Sequence, residues 1–316
     1  MKKKIAMLFP GQGAQYPGMG KDFAEHFAAA RETFEEADDL LKEPLSQIIF
    51  EGPENRLTQT KNSQLGIFVT SAAILRVLQS QTSALEPALC SGLSLGEYTA
   101  LWASKRLSFQ ETLLLVRERA RLMNEACLQR SGTMAAVLGL DAKTLEGAIG
   151  AISGVWIANY NCPGQIVISG TKEGVEKASI ALKETGAKRV LPLQVSGAFH
   201  SGLMQNAEDA LKPFIAKANI TSSEVGFVMN VPGDFTSDVS AIRDNLAAQV
   251  THSVRWEQGI YAIERASVDL YLEIGCGKTL SGLNRKIGVK RQTVSLEKIE
   301  ELNGAVLKIE ESVCNC

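Results

Sequence analysis

Apolar and polar positions along this chain follow two rhythms. Continuous apolar runs at Ile5–Phe9 and 268–274 predict strands buried on both faces of a sheet. Segments with apolar residues three and four apart predict helices. One is 22–41, where Phe23, Phe27 and Phe34 recur among charges, with Gly52-Pro53 as the break beyond it. Another is 64–79, apolar through Ile67, Phe68, Ala72, Ile74, Leu75 and Leu78. A third is 108–126, with Leu114, Leu115, Leu122 and Met123 on its apolar positions and Arg117, Arg119 and Arg121 among them. Arg119 falls on a different face from the other two arginines. Strands interleaved with helices predict an α/β fold with a parallel sheet.

The rhythm changes after residue 130. Strands at 133–140, 155–159, 165–170 and 188–195 enclose helices at 141–149 and 171–185, with a turn at Asn161-Cys162-Pro163-Gly164. The order βαββαβ is that of a ferredoxin-like unit, and we expect it as an inserted subdomain over 128–197. Residues 1–127 and 198–316 form the larger domain in this division. There the chain resumes with the small-residue turn Ser196-Gly197-Ala198-Phe199-His200-Ser201 and a helix to about residue 218. A strand at 225–230, an amphipathic stretch at 239–250, a helix containing Trp256 and the buried strand 268–274 follow, and another helix begins at 279.

Composition adds limits. The 316 residues are 45% hydrophobic and 22% charged, enough for a large core, and the net charge of −2 gives no general pull towards nucleic acid or membrane. The opening Met1-Lys2-Lys3-Lys4 and its apolar run imitate a signal peptide, but the run stops at Pro10-Gly11, too soon for one. No stretch is long and apolar enough to span a bilayer. Six cysteines, Cys90, Cys127, Cys162, Cys276, Cys314 and Cys316, form no Cys-x-x-Cys pair and predict reduced thiols in a cytoplasmic protein. Cys314 and Cys316 are expected only to be sticky in vitro.

The candidate chemistry begins at Gly92-Leu93-Ser94-Leu95-Gly96. A small apolar run precedes it and a helix-compatible stretch follows, the pattern of a nucleophile elbow that exposes Ser94 at a helix N-terminus. The larger domain is therefore expected to be α/β-hydrolase-like. The loop 10–20 carries Gly11, Gly13, Gly18 and Gly20 and fits neither a G-x-G-x-x-G fingerprint nor a P-loop. It reads either as a surface turn or as a wall of the site beside the first strand's C-terminal end. Of three histidines, His26 sits in a charged helix and His252 in a polar break. His200, between a strand and a helix, is the base by elimination, with a locally bonded helix-start histidine as the alternative.

Six patches in order extend the pattern: 9–15 (Phe-Pro-Gly-Gln-Gly-Ala-Gln), 92–98 around Ser94, Arg119 ahead of Met123, Asn161-Cys162-Pro163-Gly164-Gln165, Phe199-His200-Ser201, and 273–280 around Gly275-Cys276-Gly277. Together they make the chain resemble the malonyl-CoA:acyl-carrier-protein transacylases of bacterial fatty-acid synthesis. The resemblance implies a Ser94 acyl-enzyme, His200 as base, and the Gln249 backbone carbonyl orienting His200. It also implies an oxyanion hole from the backbone N–H groups of Gln12 and Leu95, and Arg119 as the partner of the malonyl carboxylate. Gln64 and Asn161 match pocket positions, and both residue types could equally be structural caps. The implied partners are malonyl-CoA and an acidic carrier protein bearing phosphopantetheine, docked at Lys188, Arg189, Arg285 and Lys286; a solvating role is the alternative for these pairs. No cofactor, metal, nucleic acid or membrane is implied, and a monomer is expected.

Three positions depart from the family pattern. Leu93 stands where His is usual before the nucleophile, Leu65 replaces a Pro after Gln64, and Cys276 replaces a Pro between two glycines. Two rival readings share the elbow. One is a serine acyl hydrolase, against which no acidic triad partner is evident in the expected order. The other is a carrier-protein docking subunit with a dead site, for which Leu93 is the hint.

Overall fold

A computed structural model describes residues 3–195 and 197–311; Cys314, Cys316 and Ser196 of the small-residue turn lie outside them. Six strands build the larger sheet: β1 (Ile5–Phe9), β2 (Pro87–Gly92), β7 (Gly226–Met229), β8 (Asp234–Phe235), β9 (Leu270–Ile274) and β10 (Thr293–Leu296). Their order is β10-β9-β1-β2-β7-β8, parallel at each pairing except β7 with β8. Burial on both faces explains the unbroken apolar composition of the central strands. Ile5, Met7 and Phe9 enter one core with the helices Thr60–Gln81 and Phe109–Gln129, while Ala6 and Leu8 enter another with Trp256, Ile260 and Tyr271.

The smaller sheet contains β3 (Thr133–Leu138), β4 (Val155–Cys162), β5 (Gln165–Gly170) and β6 (Arg189–Pro192) in the order β4-β5-β3-β6, all antiparallel. The helices Ala142–Ile149 and Lys172–Glu184 pack on it over a core of Val137, Ile166, Ile168, Val175 and Leu182. A backbone bridge joins β4 to the larger body: Val254 N–H donates to the Ala158 carbonyl (2.8 Å), and Tyr160 N–H to the Val254 carbonyl (2.9 Å).

Several predicted boundaries move for identifiable reasons. The helix expected over 22–41 is two, Lys21–His26 and Ala28–Leu41, because Phe27 is extended (φ −126°, ψ 126°) and caps both. Its N–H bonds to the Phe23 carbonyl, and its own carbonyl accepts from Ala30 and Arg31. The strand expected over 155–159 continues to Cys162, so Asn161 lies in a strand and not in a turn. The strand expected over 188–195 spans only Arg189–Pro192; Leu193 N–H still reaches the Met134 carbonyl (2.9 Å), and from there Leu193, Gln194 and Val195 line the cavity instead of continuing the sheet. Both β8 and β10 escape the hydrophobic pattern because they are short edge strands with partly exposed residues.

Candidate active site

Parallel pairing sets Phe9 of β1 opposite Gly92 of β2, so both strands deliver their C-terminal loops to the same edge of the sheet. The β2 loop is the elbow. Ser94 takes a left-handed backbone (φ 53°), and the helix Gly96–Ala103 starts two residues later. A Cβ on Gly92 would lie 2.0 Å from the Gly96 carbonyl, and one on Gly96 would lie 2.1 Å from the Phe9 carbonyl, so neither position admits another residue. The β1 loop packs against the elbow as closely: a Cβ on Gly11 would stand 2.4 Å from the Leu93 carbonyl. Of the two readings of this loop, the structure shows a wall of the site.

A cavity of about 440 Å³ opens over Ser94. His200 reaches it from a buried position, itself left-handed (φ 57°), and its Nε2 accepts from the Ser94 hydroxyl at 2.8 Å. On the other side of the ring, Nδ1–H donates to the Gln249 backbone carbonyl at 2.7 Å. That bond selects the tautomer with an open lone pair on Nε2. Burial, with the Arg119 charge nearby, lowers the His200 pKa to about 4, so the imidazole is neutral at pH 7. Among the described residues no carboxylate bonds to this histidine. His26 and His252 are exposed, as their polar surroundings predict.

Arg119 is 1% exposed, although Arg117 and Arg121 of the same helix lie on the surface with Glu118 and Glu125. Its guanidinium donates to Gln64 Oε1 (2.5 Å), to Gln249 Oε1 (2.8 Å) and to the Ser94 hydroxyl oxygen (3.2 Å). Every first contact is neutral. Burial lowers its pKa while Tyr98 and Glu97 act in the opposite direction, and an arginine so placed remains a cation. A buried cation beside a serine hydroxyl, bonded only to neutral groups, retains the capacity to pair with an anion that enters the cavity.

The remaining expected residues fall around these. Gln12 and Asn161 line the cavity, and the Asn161 Oδ1 is buried with no hydrogen-bond partner. Leu95 is buried at the N-cap of the elbow helix. Lys188, Arg189, Arg285 and Lys286 are all exposed. Lys286 Nζ donates to Gln165 Oε1 (2.7 Å), and Gln165 lies in one row across the small sheet with Leu138 and Arg189, so the two basic pairs share one end of that sheet.

Comparison with known proteins decides the family. Residues 6–275 match the acyl transferase domain family. A malonyl CoA-acyl carrier protein transacylase of Bacillus subtilis is 42% identical over 312 residues, covering 98% of each chain, and its Escherichia coli counterpart is 38% identical over 289 residues, 90% of this chain and 93% of that one. The chain belongs to the malonyl CoA-acyl carrier protein transacylase family.

Solved structures agree with the transacylase assignment. An acyl-carrier-protein S-malonyltransferase from Bartonella henselae superposes with a TM-score of 0.91 at 40% identity, covering 97% of this chain and 99% of that one. A malonyl-transacylase in complex with its type II PKS acyl-carrier protein superposes with a TM-score of 0.92 at 36% identity, covering 96% and 99%. In this family member, sequence reasoning missed Asn230, Glu97 and the Gln249 side chain. Asn230 Oδ1 accepts from Ser94 N–H (2.7 Å) and its Nδ2 donates to the Gly92 carbonyl (2.7 Å), which braces the elbow. Burial pushes the Glu97 carboxyl up to about 8, against the pull of Asn230 N–H, Arg119 and Gln249. Signals for both existed: a polar residue just past a buried strand's C-terminal end, and a carboxylate in the first turn of an otherwise apolar helix. Leu93, the residue before Ser94, is half-buried and lines the cavity.

Proposed function

We propose that this protein is a malonyltransferase. It moves a malonyl group from malonyl-CoA to the phosphopantetheine thiol of an acyl carrier protein for fatty-acid synthesis, through an ester on Ser94. The observation that carries the reading is Arg119, buried within 3.2 Å of the nucleophile and bonded there only to neutral groups. Family membership and the printed partners of the relatives support it.

In the first half-reaction Ser94 Oγ attacks the thioester carbonyl while His200 Nε2 takes its proton. The backbone N–H groups of Leu95 and Gln12 hold the oxyanion, Arg119 pairs bidentately with the malonyl carboxylate, and Gln64 steadies the guanidinium. The C–S bond breaks and His200 passes the proton to the CoA sulfur. The second half-reaction runs in reverse with the carrier thiol: His200 takes the thiol proton, the new C–S bond forms, and Ser94 recovers its proton. Met134, Val167 and Leu193 wall the cavity and shield the ester from water, while Asn161 offers its Oδ1 to the incoming pantetheine arm. Nucleophile, base and clamp are all side chains, so the chemistry calls for no cofactor.

Residues 128–197 supply one wall as an inserted unit, and the basic end formed by Lys188, Arg189, Arg285 and Lys286 receives the acidic carrier. The protein acts as a monomer in the cytoplasm, where the buried thiols of Cys90, Cys162 and Cys276 stay reduced. Among the described residues no helix is long and apolar enough to cross a membrane.

Intact-mass measurement after mixing with malonyl-CoA tests the reading. A malonyl adduct that persists in buffer and moves to added holo-carrier protein is expected. Rapid loss of the adduct to water would make the protein a hydrolase, and no adduct would leave a docking subunit. A polyketide carrier serves as the second acceptor in this assay, because one structural neighbour is bound to a type II PKS carrier protein.

A further inference from the structure

Glu97 takes no part in the reaction above, yet it lies fully buried beneath the nucleophile, three residues beyond it on the first turn of the elbow helix. One carboxyl oxygen accepts from the Asn230 backbone N–H (2.5 Å) and the other from Gln249 Nε2 (2.6 Å). That same Nε2 donates to the Ser94 backbone carbonyl (2.9 Å), while Gln249 Oε1 accepts from Arg119 (2.8 Å). These contacts allow the Gln249 amide one orientation. Turned over, its NH₂ would face the guanidinium and its oxygen would face the Ser94 carbonyl, two mismatches at a residue with no exposure to water.

We propose that Glu97 is a positioning residue that fixes the orientation of the Gln249 amide and, through it, the place of Arg119, so that it sets the preference for acyl groups ending in a carboxylate. The proposal rests on Arg119 being the malonyl clamp. A carboxyl oxygen keeps an acceptor lone pair in either protonation state, whereas an amide nitrogen has none. In Glu97→Gln the new side chain keeps its oxygen on the Asn230 N–H, so its NH₂ faces the NH₂ of Gln249. The Gln249 amide must then turn or withdraw, and Arg119 loses its neighbour. The elbow keeps its brace, because Asn230 still bonds to Ser94 and Gly92.

Acyl-enzyme formation with malonyl-CoA and with acetyl-CoA, compared as a ratio of kcat/KM values, tests this. A fold that is merely weakened lowers both rates together and leaves the ratio alone. Glu97→Gln is expected to cut the malonyl-to-acetyl ratio about tenfold, with the loss on the malonyl side. Gln249→Ala keeps the backbone carbonyl that holds His200 and should lose a similar factor, which gives an answer even if the Glu97 variant does not fold. The double variant should lose no more than Gln249→Ala alone, because both changes break one relay. An unchanged ratio in either single variant overturns the proposal, as do effects that multiply in the double variant. Arg119→Ala separates the two levels. If it collapses the ratio while Glu97→Gln does not, the relay is wrong and the clamp stands; if it leaves the ratio intact, both fall.

Discussion

On the parallel-sheet side of the cavity, Ser94, Arg119, His200 and Gln249 hold one another through buried hydrogen bonds, and Asn230 and Glu97 brace them from below. On the side of the small antiparallel sheet, Asn161 leaves its Oδ1 without a partner beside Met134, Val167 and Leu193. The first side is complete before any substrate arrives, so its geometry costs nothing to assemble at the moment of reaction. The second offers an apolar surface and a buried, unpaired acceptor, and contributes no hydrogen bond to the Ser94–His200–Arg119 group. The two meet at Val254, five residues beyond Gln249, where the bridge to β4 ties the wall to the segment whose carbonyl holds His200.

Substitutions on the two sides should therefore differ in kind as well as in size. The largest effect belongs to Ser94→Ala, which removes the acyl-enzyme: we expect no adduct by intact mass and a loss of at least ~10³-fold in transfer. Next is Arg119→Ala, expected to lower malonyl transfer about 10²-fold while lowering acetyl transfer far less, since the loss is that of one buried charge-assisted pair. Equal losses for the two acyl groups would remove Arg119 from the specificity role. On the opposite wall, Asn161→Ala is expected to raise the KM for malonyl-CoA about fivefold with kcat nearly intact, the worth of one neutral hydrogen bond. A collapse of kcat in that variant would erase the distinction between the sides.

The smallest effect concerns pH. A histidine near pKa 6.5 would lose roughly eightfold of its neutral form between pH 7 and 5.5. His200, held at about 4, keeps nearly all of it, so stopped-flow acylation should be flat across that range. The same depression has a sign in stability. Between about 4 and 6.5 the unfolded chain binds the proton that the folded one refuses, so this residue's contribution is lost as pH falls through that window. An acylation profile with a midpoint near 6.5 would show that the imidazole is solvated and the preformed side looser than described.

The division between the sides also marks what could be read from the chain. The elbow was legible because Gly92 and Gly96 answer a steric demand local to five residues. The small antiparallel sheet was legible because its strands and helices alternate in short, regular steps. Arg119 stood out only as the odd face of a three-arginine helix, and its burial depends on Gln64 and Gln249, distant in the chain. Nothing local joins Asn230 to Ser94 across 136 positions; the pairing of β2 with β7 does that. Leu93 was expected to bear on the chemistry. It lines the cavity next to Ser94, and a leucine there offers no group to take or give a proton.

One competition experiment tests the account most directly. Wild-type protein, Arg119→Ala and Asn161→Ala are each mixed with equal amounts of malonyl-CoA and acetyl-CoA, and the adducts are read by time-resolved intact mass. The account predicts a malonyl adduct on the wild type, a slower but still malonyl-selective reaction for Asn161→Ala, and loss of selectivity for Arg119→Ala. Selectivity that survives without Arg119, or that vanishes without Asn161, would contradict it.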